Sequence, residues 1–349
     1  MIPEKVLIVR TDRLGDVILS TPVTTAFKQT FPGVKISMLA NSRWMPLLQT
    51  HEDIDELISD NQENSTKLKP VVQLAGEIRS RAFDVAVVLH PTFRLALVLY
   101  IASVPVRLGS GYRWYSFLFN RRHFEHRKFS QKHELEYNLS LVETLGVRLD
   151  QIRFRFHLPE KLNRLTESFI QKQKPVIVIH PGSGKSARNW RPQCYGHLAK
   201  ICMERLGATV LITGTRDEHG LVKIVQNICG HRAISLCGRL TILQLAALLQ
   251  QADLLITNST GPLHLATALG TPVIGLYAPL PACHPQRWGP YGQGENVIMA
   301  RQACHRCIKS KSIYCSCMDE ITVQHVFEKV CHILNSKKIS IQTSLDSGI

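Results

Sequence analysis

Leu254 to Pro279 reads LLITNSTGPLHLATALGTPVIGLYAP. Its opening residues, with Asp253, form an apolar run of strand length ending at Thr257. Asn258-Ser259-Thr260-Gly261-Pro262 then supplies a turn of small residues. Thr260 suits a helix N-cap and Pro262 suits a first helical turn. Leu263, Leu265, Ala266, Ala268 and Leu269 give the helix an apolar face, and Gly270 ends it. Pro272 to Leu276 is a second buried strand. The stretch therefore predicts a βαβ unit whose turn points at a helix N-terminus. Exposed N–H groups and the positive end of the helix dipole make such a turn an anion site, most often for phosphate.

The same alternation extends outward in both directions. Lys5–Val9, Val34–Leu39, Glu56–Ile58 and Phe83–Leu89 read as strands separated by helical stretches at Val17–Phe27, Trp44–Thr50 and Leu68–Arg81. Phe93–Ala102 and His133–Leu145 read as helices, and Tyr112–Phe124, YRWYSFLFNRRHF, is aromatic and basic. The pattern restarts at Pro175–His180 and continues through Thr209–Thr213 and Ala233–Ser235. Helices are expected at Pro192–Leu206, Asp217–Cys229, Ile242–Gln250 and Val323–Leu334, followed by a polar, disordered end. Strands alternating with helices predict mostly parallel sheets covered on both faces. Two α/β domains are expected, over residues 1–160 and 161–335, with a polar tail at 336–349 and a ligand cleft between the domains.

The chain has 349 residues, 42 Lys plus Arg against 27 Asp plus Glu, and a formal charge of +15. That excess suits an anionic membrane surface or a phosphorylated substrate, and no nucleic-acid motif is visible. The N-terminus lacks the basic and long apolar regions of a signal peptide. The apolar run Leu95–Val104 is too short to span a bilayer and reads as a core helix. The expected location is cytoplasmic, peripheral to a membrane.

Several turns carry candidate chemistry. Arg10-Thr11-Asp12-Arg13-Leu14-Gly15-Asp16 joins the first strand to the first helix. There Asp16 could act as a general base, or simply complement the helix dipole. His180-Pro-Gly-Ser-Gly-Lys-Ser186 imitates a phosphate loop but has Ile179 where the first glycine belongs. Ser183, Lys185 and Arg188 could still meet a diphosphate. Gly214-Thr-Arg-Asp217-Glu218 follows another strand, and its acids could hold ribose hydroxyls or cap a helix. His264 could donate to a phosphate or be structural. Cys304-x-x-Cys307 and Cys315-x-Cys317 could hold zinc or iron, or form a reduced thiol-rich loop.

Taken together, these motifs resemble glycosyltransferase family 9, the ADP-heptose lipopolysaccharide heptosyltransferases. The resemblance rests on VLIVRTDRLGDVILSTPVTTAFKQTFPGVKI, HPGSGKSARNWRP, GTRDE, CGRLTILQLAALLQQADLLI and NSTGPLHLATALGTPVIGLY, in that order. It implies a GT-B fold, two Rossmann-like domains around a cleft, with no required cofactor. It also implies an inverting transfer of heptose from ADP-heptose to the inner core of lipopolysaccharide on the cytoplasmic face of the inner membrane. Asp16 would be the base, with Arg10 and Arg13 near the acceptor. Ser183, Lys185, Arg188, Gly214, Glu218, Ser259, Thr260, Gly261 and His264 would hold the donor. Arg188 stands where that family usually has lysine, and Ser259 where many members have aspartate. The serine leaves other sugars open as donors. A protein acceptor, a sugar-nucleotide epimerase and a non-catalytic binding protein are the alternative readings.

Overall fold

The structure is a computed structural model. It describes residues 2–60, 68–167, 169–170, 175–184, 186–302 and 312–346, with 165 and 337–346 as backbone only. The chain divides into two compact units, Met1–His157 and Leu158–Ile349.

The first unit contains β1 (Lys5–Val9), α1 (Leu14–Ile18), α2 (Thr21–Thr30), β2 (Lys35–Ala40), α3 (Met45–Leu48) and β3 (Glu56–Ser59). It continues with α4 (Leu68–Arg81), β4 (Val85–Val88), α5 (Phe93–Ile101), β5 (Val106–Ser110), β6 (Arg121–His123) and α6 (Glu134–Glu143). Its six strands lie in the order β3-β2-β1-β4-β5-β6, with every pair parallel. The second unit runs α7 (Lys161–Glu167), β7 (Val176–His180), α8 (Pro192–Arg205), β8 (Thr209–Ile212), α9 (His219–Cys229), β9 (Ile234–Ser235) and α10 (Ile242–Gln251). Then follow β10 (Leu254–Asn258), α11 (Gly261–Ala268), β11 (Val273–Tyr277), α12 (Pro285–Trp288), β12 (Val297–Met299) and α13 (Val323–Asp346). Its sheet has the order β12-β11-β10-β7-β8-β9, again all parallel. Read from the other edge, this is the strand order of the first unit. Each unit is thus a doubly wound, Rossmann-like sheet.

Burial on both faces follows from the period-2 alternation of strands. In β1, Leu7 and Val9 enter one core with α4 and α5, while Val6 and Ile8 enter another with α2 and α6. In the second unit, Ile177, Ile179, Leu254 and Ile256 share a core with α8, α9 and the last helix. Polar chemistry is therefore left to the strand ends.

Some elements differ from the sequence reading. The single helix expected over Val17–Phe27 is two. Pro22 brings no N–H, and the Ser20 hydroxyl donates to the Asp16 carbonyl at 2.7 Å, so the chain re-starts at Thr21. Strands β5, β6 and β12 went unread: β6 and β12 have only three residues, Arg121-Arg122-His123 has no apolar alternation, and Val106–Ser110 is interrupted by Arg107 and ends in Gly109-Ser110. The final helix runs on to Asp346, through the end read as disordered; no Pro or Gly interrupts its backbone. The apolar run at Leu95 is helix α5, and no helix among the described residues is long and apolar enough to cross a membrane.

Candidate active site

In each unit the order of strands reverses between two central neighbours, β1 and β4 in one and β7 and β10 in the other. Ligands of open α/β sheets bind outside the carboxyl ends of the strands at such a switch point. The sequence-derived site residues gather at these two places.

In the first unit, the turn after β1 carries Arg10, which is only 2% exposed. Its guanidinium meets three carboxylates: Asp12 at 2.7 Å, Asp16 at 2.5 Å and Glu134 at 3.2 Å. Glu134 opens α6, is buried, and also accepts from Arg127 at 2.5 Å. Asn138, one turn further on, accepts from both guanidiniums and donates to the Leu19 carbonyl at 3.1 Å. The Asp12 carbonyl accepts from the Trp44 indole at 2.9 Å, which pins the turn. His90, just past β4, places Nδ1 3.5 Å from Asp12.

Three carboxylates thus share the Arg10 and Arg127 guanidiniums, and the Arg13 charge also acts on Asp16. Burial pushes the Asp16 carboxyl up. Arg10 pulls it down, Asp12 and Glu134 push it up again, and the balance is a pKa of about 6. Burial opposes the Arg10 charge as well, but its three carboxylate partners outweigh that and hold it firmly protonated. Asp16 is therefore a carboxylate poised to take a proton near neutral pH, at the start of a helix. Arg10 was expected to meet an acceptor. It is instead turned inward and committed to these carboxylates, whereas Arg13 is exposed. Glu134, Asn138, Asp12 and His90 escaped the sequence reading. Glu134 lies 124 positions from Arg10, and no local pattern links the two.

The second unit builds its site from loops following β7, β8 and β10. Asn258, the last residue of β10, accepts from the Trp190 N–H at 2.9 Å and donates to the Pro181 carbonyl at 2.9 Å. One amide thereby holds both arms of the 181–190 loop. Trp190 is fully buried, donates its indole N–H to the Ile321 carbonyl at 2.7 Å, and meets Tyr195 edge-on. The Ser186 hydroxyl bridges the carbonyls of Ser183 and Ser259 at 2.6 and 3.1 Å, joining this loop to the turn before α11. Ser183 and Ser259 are buried, and Ser259 also bonds to the Tyr277 side chain. Thr260 occupies the N-cap position as expected, but its hydroxyl makes no capping bond, so Gly261 begins a helix whose N-terminus has no side-chain cap. His264 lies buried in that first turn, its ring 6.4 Å from Trp288.

Gly214 begins the turn that presents Glu218. This carboxylate accepts the Thr215 N–H at 2.8 Å in a capping box and the Gly184 N–H at 3.4 Å. It also lies 3.8 Å from His180, whose other ring nitrogen pairs with the Thr213 hydroxyl at 3.0 Å. A Cβ at Gly182 would collide with the Glu218 carboxylate, so glycine here lets that carboxylate keep its position. Asp217, its rival in the sequence, is exposed. Arg188 donates to the Ser312 carbonyl at 2.5 Å. Lys185, Cys304 and Cys307 lie outside the described residues. Cys315 and Cys317 are buried in the core of this unit. Among the described residues, no group of three or more His, Cys, Asp and Glu side chains is placed to hold a metal.

Arg10→Met should be strongly destabilising, by about 3–5 kcal/mol, because it leaves buried carboxylates without their partner. Urea unfolding at pH 7 measures this. A change below about 1 kcal/mol would show that the cluster does not depend on Arg10.

The profile of glycosyltransferase family 9 (heptosyltransferase) matches residues 71–317. The lipopolysaccharide core heptosyltransferase OpsX of Haemophilus influenzae is 24% identical over 300 residues, which make up 85% of this chain and 84% of that protein. The solved structure of the Escherichia coli ADP-heptose lipopolysaccharide heptosyltransferase II superposes with a TM-score of 0.81 at 20% identity, over 96% of this chain and 99% of that one. Escherichia coli heptosyltransferase WaaC, solved with ADP, superposes with a TM-score of 0.71 at 18% identity, over 94% of this chain and 99% of that one. These structural likenesses bear out the GT-B class of two Rossmann-like units. With the family profile spanning well over half of its length, the chain belongs to glycosyltransferase family 9 and is a glycosyltransferase.

Proposed function

We propose that this glycosyltransferase moves a heptose, with inversion, from ADP-heptose to the phosphorylated inner core of a lipopolysaccharide precursor at the cytoplasmic membrane surface. The names of its relatives support the sugar and the acceptor class. The observation that carries the reaction type is Asp16, a carboxylate with a pKa of about 6 at the switch point of the first unit. A base should titrate near the working pH, and this one does.

In this reading Asp16 takes the proton of an acceptor hydroxyl as that oxygen bonds to the anomeric carbon. The bond from that carbon to the β-phosphate oxygen breaks, and ADP leaves with the electron pair. Arg10 orients Asp16 and limits its basicity, and exposed Arg13 lies beside it to meet acceptor phosphate. In the second unit, Glu218 accepts from the ribose hydroxyls. The uncapped N-terminus at Thr260 and Gly261 receives the diphosphate, with His264, Arg188, Lys185 and the N–H groups of the Ser183 loop adding donors and charge. These groups can stabilise the leaving diphosphate without a divalent cation.

The first test is release of ADP from ADP-heptose with and without a heptose-deficient lipopolysaccharide acceptor, beside UDP- and GDP-sugars. Acceptor-dependent ADP release is expected. Turnover with another nucleotide sugar alone would overturn the donor, and ADP-heptose turnover onto protein alone would overturn the acceptor.

The acid limb of kcat/KM should fall below pH 6 as Asp16 becomes protonated. Asp16→Asn should lower kcat by about 10²–10⁴-fold. Because the folded-state pKa of Asp16 is raised, its charge costs stability above about pH 6, and that cost disappears as the pH falls toward the ordinary carboxylate value. Asp16→Asn should therefore unfold at pH 7 no earlier than the parent in a thermal melt. Wild-type turnover by a folded variant would remove Asp16 from the mechanism.

Gly182→Ala should push the Glu218 carboxylate aside and raise the donor KM by about 10- to 100-fold, with a smaller effect on kcat. An unchanged donor KM would show that Glu218 does not hold the nucleotide.

A further inference from the structure

Around the switch-point edge of the first unit, large aromatic rings stand in solvent. Phe93 opens α5, Tyr112 and Trp114 follow β5, and Phe124 and Phe129 follow β6. Trp114 is 73% exposed, Phe124 61% and Phe129 60%. They are organised rather than scattered. Phe93 stacks on Trp114 at 5.0 Å, Tyr112 meets Phe124 at 5.5 Å and stacks on His126 at 3.9 Å, and Lys128 lies over the Phe129 ring. An exposed apolar patch of this kind marks an interaction surface.

The charge around the rings narrows the partner. Residues 111–132 carry six Lys and Arg against one acid, Glu125. That acid is already paired, with Lys132 at 2.6 Å and His123 at 3.2 Å. Arg113, Arg121, Arg122 and Lys128 are exposed among the aromatics. Tryptophan and tyrosine favour the headgroup layer of a bilayer, where an apolar ring and a polar tip are both satisfied, and basic side chains are drawn to anionic headgroups. No helix among the described residues can cross a bilayer, so contact would be superficial.

The same segment is tied to the candidate base. All strands of this sheet are parallel, so the chain leaving β5 and β6 emerges at the edge where β1 delivers Asp16. Arg127, at the end of the segment, shares Glu134 with Arg10.

We infer that the exposed aromatic and basic segment 112–129 seats this protein on an anionic lipid bilayer, with the Asp16 edge toward the membrane. The inference deepens the proposed function, since a lipid-linked acceptor would then meet the base at the surface that carries it.

The test is co-sedimentation of the full chain with vesicles of phosphatidylglycerol and phosphatidylethanolamine, beside pure phosphatidylcholine, at low and high salt. The wild type should partition to the anionic vesicles and release with salt. Trp114→Ser with Phe129→Ser should weaken partitioning by about tenfold, and Arg113→Glu with Lys128→Glu by a similar factor. Thermal melts of each variant control for folding, and turnover on a water-soluble, delipidated acceptor should be unchanged. Failure of wild-type protein to bind anionic vesicles, or equal binding by correctly folded variants, would overturn the inference. So would loss of a self-associated state in the variants without loss of vesicle binding. Because vesicle binding is read without turnover, a failure of the heptosyltransferase reading would show in the acceptor assay alone.

Discussion

A parallel strand covered by helices on both faces can carry almost nothing polar along its length. In β4, β7 and β10 every residue is buried, as is every residue of β1 after the exposed Lys5, and among these buried positions the exceptions to apolar character cluster at the final ones, His180, Thr257 and Asn258. An unpaired polar group within such a strand would cost free energy on either face. Charged and hydrogen-bonding residues are therefore displaced to the carboxyl ends, and the reversal of strand order keeps the helices there from closing over them. The molecule applies this constraint twice, in two units with the same strand order, and both candidate sites are its result.

The two edges solve different electrostatic problems. The first gathers three carboxylates around Arg10, and burial, reinforced by the neighbouring Asp12 and Glu134 charges, leaves Asp16 more basic than an ordinary carboxylate despite Arg10. The second edge does the opposite. It offers an uncapped helix N-terminus, loop N–H groups and Arg188, and the Glu218 carboxylate is held in place above Gly182 by backbone donors. One edge is equipped to accept a proton and the other to receive an anion.

Much of this was legible in the sequence, for a physical reason. Buried strands such as Val176–His180 and Leu254–Asn258 are unbroken apolar runs, and turn residues mark where they stop, so the position of Asp16 and of the 258–264 turn follows from local pattern. What the pattern cannot carry is pairing over distance. Local spacing favours reading Asp16 as a dipole-complementing acid, because its basicity comes from burial in the folded unit and from partners that include Glu134, far along the chain. Arg10 looked available to a ligand for the same reason. Strand β6 was hidden by composition: as a three-residue edge strand of Arg, Arg and His it is held by ladder bonds to β5 rather than by burial.

The Asn258 amide has a consequence for ligand affinity. By bonding to Pro181 and Trp190 together, it closes the loop between them into a ring before any ligand arrives. The entropy of bringing those two ends together is lost during folding. A ligand then meets arms already tethered at their base, and less of its interaction energy goes into ordering the protein. The side chain must both accept and donate to do this. An aspartate offers no N–H for the Pro181 carbonyl, and a leucine of similar size offers neither function. The identity of this side chain, through its bonds to the protein itself, thus bears on how much binding free energy survives as affinity.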